Sequence, residues 1–281
     1  MPLLSNTPND VTVEPRNHQY DIASTLATDW FAGHPFKTAW FNAMSMTFPL
    51  GEKFFIDSVR HFADQIDDPK LQEEIRGFCG QEGFHRREHQ RYNETLCAAR
   101  GYDLDYLDGR LARNIAFTQK VTSPLQRLAA TAAFEHMTAI MAESALADDS
   151  QMIDAVDDQM RAMWDWHAAE EMEHKAVAFD VYRAVGGTEK MRKRGMRQAT
   201  FFLMLDVMVG VVHMLRRDKK LWNLTLWKEG WRFLFGKQDG ILRAIYPAYK
   251  EYYREGFHPW QRDTRPLLNA WKASHTAPLA A

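Results

Sequence analysis

Two copies of one four-residue pattern constrain this chain more than any other feature. Glu82-Gly83-Phe84-His85 and Glu171-Met172-Glu173-His174 each place a Glu three residues before a His. On a helix, positions i and i+3 share a face, so each pair can reach one metal ion. A further Glu stands upstream of each copy at the range of a helical hairpin: Glu52 before Glu82, and Glu135 before Glu171. This is the ligand order of a four-helix bundle holding two metal ions, with a Glu from each of two helices and Glu-x-x-His from each of the other two. Glu135 lies in the apolar run Ala132-Ala133-Phe134-Glu135-His136-Met137, where a charge is costly unless it is paired or metal-bound. His167 precedes Glu171 by one turn, so His167, Glu171 and His174 form a single stripe. His167 there is either a further ligand or a hydrogen-bond partner of one.

The remaining pattern is all-α. Strand-like alternation is scarce and no Asn-Gly hairpin signal occurs. A first helix is expected from about Lys37 to Ile66, bent near Pro49. Asp67-Asp68-Pro69 turns the chain into a second helix, which stops at Gly101 after Arg100. A connector from Tyr102 to Ser123 is expected to hold one short helix. Ser123-Pro124 opens a third helix ending near Ala147, broken by Asp148-Asp149-Ser150. Matching the heights of Glu135 and Glu171 requires the chain to re-enter the bundle only at about Asp154 or later. The fourth helix then runs to Val185 and stops at Gly186-Gly187. The expected architecture is a ferritin-like four-helix bundle (residues 37–186) with additional C-terminal helices (187–260), in a single helical domain over 35–260. Residues 1–34 read as a flexible leader without a signal peptide's basic and apolar regions. Residues 261–281 read as an irregular tail.

Composition narrows the function. Hydrophobic residues make up 46%, enough for a sizeable core, and a net charge of −2 argues against nucleic acid as a partner. The two cysteines, Cys79 and Cys97, form no Cys-x-x-Cys motif and read as packed thiols in a reducing cytoplasm. The most apolar stretch, Phe201 to Leu215, falls short of the roughly 20 residues that span a bilayer and contains Asp206 and His213, spaced to pair with each other. It is either a buried helix or one that touches a membrane surface or lines an apolar tunnel. Trp222, Trp227 and Trp231 follow it, so peripheral membrane contact is an expectation alongside a cytoplasmic location. Among residues near the motifs, His89 is expected as an outer partner or surface group, and His136 as a packing or hydrogen-bonding group. Glu170 and Glu173 are expected to face solvent or to orient the ligands.

Carboxylate and imidazole donors without thiolate suit two iron ions best, with manganese or zinc compatible. The stretches Phe48-Pro49-Leu50-Gly51-Glu52-Lys53-Phe54-Phe55, Gln81-Glu82-Gly83-Phe84-His85-Arg86-Arg87-Glu88-His89 and Glu171-Met172-Glu173-His174-Lys175-Ala176-Val177-Ala178-Phe179-Asp180-Val181-Tyr182 resemble the bacterial family labelled "predicted metal-dependent hydrolase", over about His34 to Trp260. The spacing His167-x-x-x-Glu171-x-x-His174 also resembles di-iron enzymes of the p-aminobenzoate N-oxygenase type, in which an additional His joins four Glu and two His. That likeness implies Glu52, Glu82, His85, Glu135, His167, Glu171 and His174 as ligands, and dioxygen activation as their use. The expected function is a di-iron carboxylate enzyme that uses dioxygen to oxidise an apolar small molecule, with electrons from the substrate or an electron-donor protein. The alternatives are hydrolysis by a metal-bound hydroxide and a non-catalytic metal- or lipid-binding helical protein. A homodimer is the commonest assembly for such a chain.

Overall fold

Helix ends follow from local chemistry wherever a capping residue is available. Asp68 caps α3 (Pro69–Arg100) by accepting from the Lys70 N–H, with Pro69 at the first position, and Gly101 closes it at φ +68°. Ser123 and Gln126 form a reciprocal capping box at the start of α5 (Pro124–Leu146). Asp157 caps α6 (Asp158–His174). The computed structural model describes residues 5–147, 157–238 and 240–276, all-α and without a strand among them. The expected break at Asp148-Asp149-Ser150 lies outside the described residues, and α6 begins at Asp158, within the expected range for re-entry.

After the short α1 (Ala23–Leu26), α2 (Pro35–Ala63) passes through Pro49 without ending. Proline removes the N–H that would bond the Ser45 carbonyl one turn back. The Asn93 side-chain amide of α3 donates to that carbonyl instead, at 3.0 Å. α2 packs along α3, α5 packs along α6, and α8 (Glu189–Arg217) lies against both α2 and α5.

Two apolar clusters occupy the length of the bundle. One gathers Phe41, Met44, Tyr92, Met163 and Trp164; the other gathers Phe54, Val59, Phe78, Ala133 and Val177. Along α2, α3 and α6, the residues between these clusters are Glu52, then Glu82 and His85, then His167, Glu171 and His174. The conserved height of an antiparallel bundle thus places the polar residues in a layer between apolar ones.

Four expectations are corrected. The connector after Gly101 is a full helix, α4 (Leu104–Val121), capped by Asp103. The fourth helix is interrupted at Lys175–Ala176 and resumes as α7 (Val177–Ala184). No Pro or Gly marks that break; the buried Lys175 ammonium instead donates to the Arg262 carbonyl at 2.7 Å and to Thr264 at 3.0 Å, over the Trp260 ring. Much of the expected irregular tail is helical: after α9 (Leu224–Phe235), α10 (Ile241–Glu251) and a 3₁₀ turn over Pro259–Gln261, α11 (Arg265–Thr276) buries Leu268 and Trp271 beside Trp166 and Met172. From Ser5 onward the leader is docked rather than free. Ser5 donates to Asp68 and Glu74, Val11 is buried, and Arg16 reaches Glu170 and Glu173 on α6.

Candidate metal centre

Seven side chains from four helices converge in the polar layer: Glu52 from α2, Glu82 and His85 from α3, Glu135 from α5, and His167, Glu171 and His174 from α6. None is more than 5% exposed. His174 Nε2 lies 3.1 Å from Glu135, 3.3 Å from Glu82 and 3.5 Å from Glu171. His85 Nδ1 lies 3.7 Å from Glu171. Three groups have ligand atoms within 4.8 Å of one another: Glu82, Glu135 and His174; Glu82, His85 and Glu171; Glu52, His85 and His167. The first and third mark two foci, and Glu82 and Glu171 reach toward both. Cys79 and Cys97 are buried elsewhere and belong to none of these groups.

The donor set fits a pair of cations. Both carboxylate oxygens of Glu52, Glu82 and Glu135 are buried without a hydrogen bond, as are Nδ1 of His85 and Nε2 of His174. Burying so many polar atoms unpaired costs roughly 1–3 kcal/mol each, and more for charged groups, so a bound cation is the natural compensation. The electrostatics agree. Burial and then the neighbouring Glu171 and Glu135 carboxylates push the Glu52 acid well above its ordinary range. Burial, Glu135 and Glu171 do the same to Glu82. Burial also pushes Glu135 up to about 7, against the pull of His174. Glu171 goes the other way: burial opposes its charge, but the adjacent His174 holds it well below the ordinary value. A metal ion would stabilise all four as carboxylates.

A shell of partners fixes the imidazoles. His174 Nδ1 meets Gln81 Oε1 at 2.9 Å, and Gln81 donates onward to Glu173 at 2.7 Å. That leaves His174 Nε2 for the centre. His85 Nε2 lies 3.0 Å from Glu170, so its Nδ1 faces inward. Glu170 and Glu173, fully buried rather than solvent-facing, are held by Arg16 of the N-terminal segment, and Glu173 also by Lys272 of α11.

A second chain sets His167. The Ser45 hydroxyl donates to Asn93 Oδ1 at 2.7 Å and so accepts from His89 Nδ1 at 2.8 Å. Neutral His89 must then accept at Nε2 from His167 Nδ1, 2.7 Å away. This assigns the lone pair of His167 to Nε2, 2.9 Å from Glu171, as a ligand requires. Burial holds the His89 imidazolium well disfavoured. His89 is thus an outer partner. Thr138 completes the shell by donating to Glu171.

Several of these supports have a local signature and others have none. Glu82, His85, His89 and Asn93 fall on one stripe of α3, so Asn93 was within reach of periodicity. Gln81 adjoins a motif residue. Arg16 and Lys272 carry no local signal, because only tertiary packing brings them to α6. His136 turns away from the centre, as its position beside Glu135 requires, and meets the Ala248 carbonyl at 3.2 Å. Asp206 and His213 do not pair. Asp206 holds Arg110 and Asn114, and His213 accepts from the Asp103 N–H at 3.1 Å, so both fasten α4 to α8.

No curated protein and no solved structure matches the chain. The model of the family described as "predicted metal-dependent hydrolase" matches residues 14–263, and the chain belongs to that family.

Proposed function

We propose that Glu52, Glu82, His85, Glu135, His167, Glu171 and His174 hold two metal ions, with iron best suited to four carboxylates and three imidazoles. Glu52, His85 and His167 would serve one ion, Glu135 and His174 the other, and Glu82 and Glu171 both. When bound, such a pair supplies dioxygen reduction coupled to oxidation of an organic substrate. Electrons would come from the substrate or from an electron-donor protein. The observation that carries this reading is the set of orphaned, fully buried carboxylates around His85 and His174.

The chain's own residues orient and shield. Gln81 and the Ser45–His89 chain hold His174 and His167 with their Nε2 lone pairs inward. Phe48, with its ring 5.0 Å from His167 and 4.6 Å from His89, and Trp164 make an apolar wall that excludes water and suits an apolar substrate. The family description favours a second reading, hydrolysis at the same centre. Metal analysis of protein from its native host, with oxygen uptake measured in air and substrate turnover measured with and without dioxygen, separates them. Iron-dependent oxygen consumption that tracks substrate loss supports oxidation. Turnover of an ester or phosphate without dioxygen, with zinc or manganese loaded, would decide for hydrolysis.

A further inference from the structure

The outer side of α8 carries Phe201 (63% exposed), Phe202, Leu205 and Val212 along one stripe, while Met196, Ala199, Val207, Val211 and Met214 are buried on the other. α4 runs antiparallel beside it, fixed by Asp206 to Arg110 and Asn114 and by His213 to Asp103. That register brings Phe117 (66% exposed) and Val121 toward Phe202. Just past the end of α8, Trp222 (89% exposed), Leu224 and Trp231 are also open to solvent.

Cations bracket these apolar groups. Arg194 and Arg197 precede them on α8, Arg216 and Lys219 follow, and Lys228 and Arg232 lie on α9. All six are exposed, and none forms an ion pair among the described residues. Between residues 189 and 240 the chain holds twelve Lys and Arg against five Asp and Glu, although the whole chain is at −2.

We propose that this surface docks on an anionic lipid bilayer, with α8 lying in the plane of the interface. Apolar and tryptophan side chains between basic groups are what the boundary of headgroups and acyl chains accepts. α8 is apolar enough to cross a bilayer by length and composition. Crossing would, however, strip its buried side from α2 and α5 and expose the buried Arg192, which donates to the carbonyls of Tyr252 and Arg254. The helix therefore lies on the membrane and does not span it. A second copy of the chain fits the surface poorly. A two-fold dimer would set Arg194, Arg197, Arg216 and Lys219 against their own images.

Flotation of the full-length protein with vesicles of phosphatidylcholine, with and without phosphatidylserine, tests this. Recovery with the phosphatidylserine vesicles is expected, declining as salt is added. The pairs Phe201→Ser/Phe202→Ser and Trp222→Ser/Trp231→Ser should each weaken it at least about tenfold, with the circular dichroism spectrum unchanged at these exposed positions. Protein that never floats overturns the proposal, as does undiminished flotation of both variants. A dimer in analytical ultracentrifugation that Phe201→Ser/Phe202→Ser dissociates would also overturn it and assign the surface to a second copy.

Discussion

Each carboxylate at the centre is a poor anion where it stands, and that makes its response to metal and to pH predictable. Removing a ligand removes the compensation, so Glu135→Ala or His174→Ala should abolish metal loading, measured as ions per chain. Gln81→Ala should leave the ligands present but release the His174 ring, lowering metal affinity about 10–100-fold in a competition titration. Glu173→Ala removes the buried carboxylate that Arg16, Lys272 and Gln81 share; it should lower the melting temperature yet still load metal, because Glu173 reaches the centre through Gln81. In metal-free protein the pH dependence has a definite sign. Glu135 is raised from 4.5 to about 7 by burial, net of His174, so the folded state binds more protons across that interval and loses stability as pH rises through it. His174, raised from 6.5 to about 10 by Glu171 and Glu135 despite burial, adds a second loss of the same sign. The stability that these two groups add to chelated protein should therefore fall from about pH 5 to about pH 9, read as the melting temperature of wild type minus that of Glu135→Gln and of His174→Gln at each pH, and a difference that grows with pH would contradict the assignment.

Helices were legible where a cap and a period coincide. α3 begins and ends, and α5 begins, at residues whose side chains or backbone state why: Asp68-Pro69, Gly101, Ser123-Pro124. The break at Lys175–Ala176 and the helix α11 were not legible, because both depend on contacts between distant segments. The N-terminal segment shows the same dependence. Gly77 and Gly80 on α3 leave room for Val13 and Pro15: a Cβ on Gly77 would stand 2.2 Å from the Val13 carbonyl oxygen, and one on Gly80 2.4 Å from the Pro15 ring. Gly77→Ala should lift this segment from the helix, cost about 1–3 kcal/mol in denaturant unfolding, and raise hydrogen exchange over residues 5–16. Unchanged exchange there would show that the segment accommodates the methyl group.

Across the molecule, a polar layer sits between two apolar clusters, and metal ions held there would tie its stability to their binding. Binding to the folded state alone adds about 4 kcal/mol at a thousandfold excess over Kd, which raises the melting temperature of a chain this size on the order of 10 °C. Chelation followed by readdition of iron should remove and restore that increment in calorimetry, and should do neither in Glu135→Ala.

The order and spacing of Glu52, Glu82, His85, Glu135, Glu171 and His174 determined the helical layout and the centre, because a 3.6-residue period and hairpin geometry convert spacing directly into position. The tertiary structure alone decided the outer partners. Arg16, Lys272, Gln81 and the Ser45–Asn93 pair are recruited by the need of buried charges and ring nitrogens for partners, a need that long-range packing satisfies with whatever chain lies nearest.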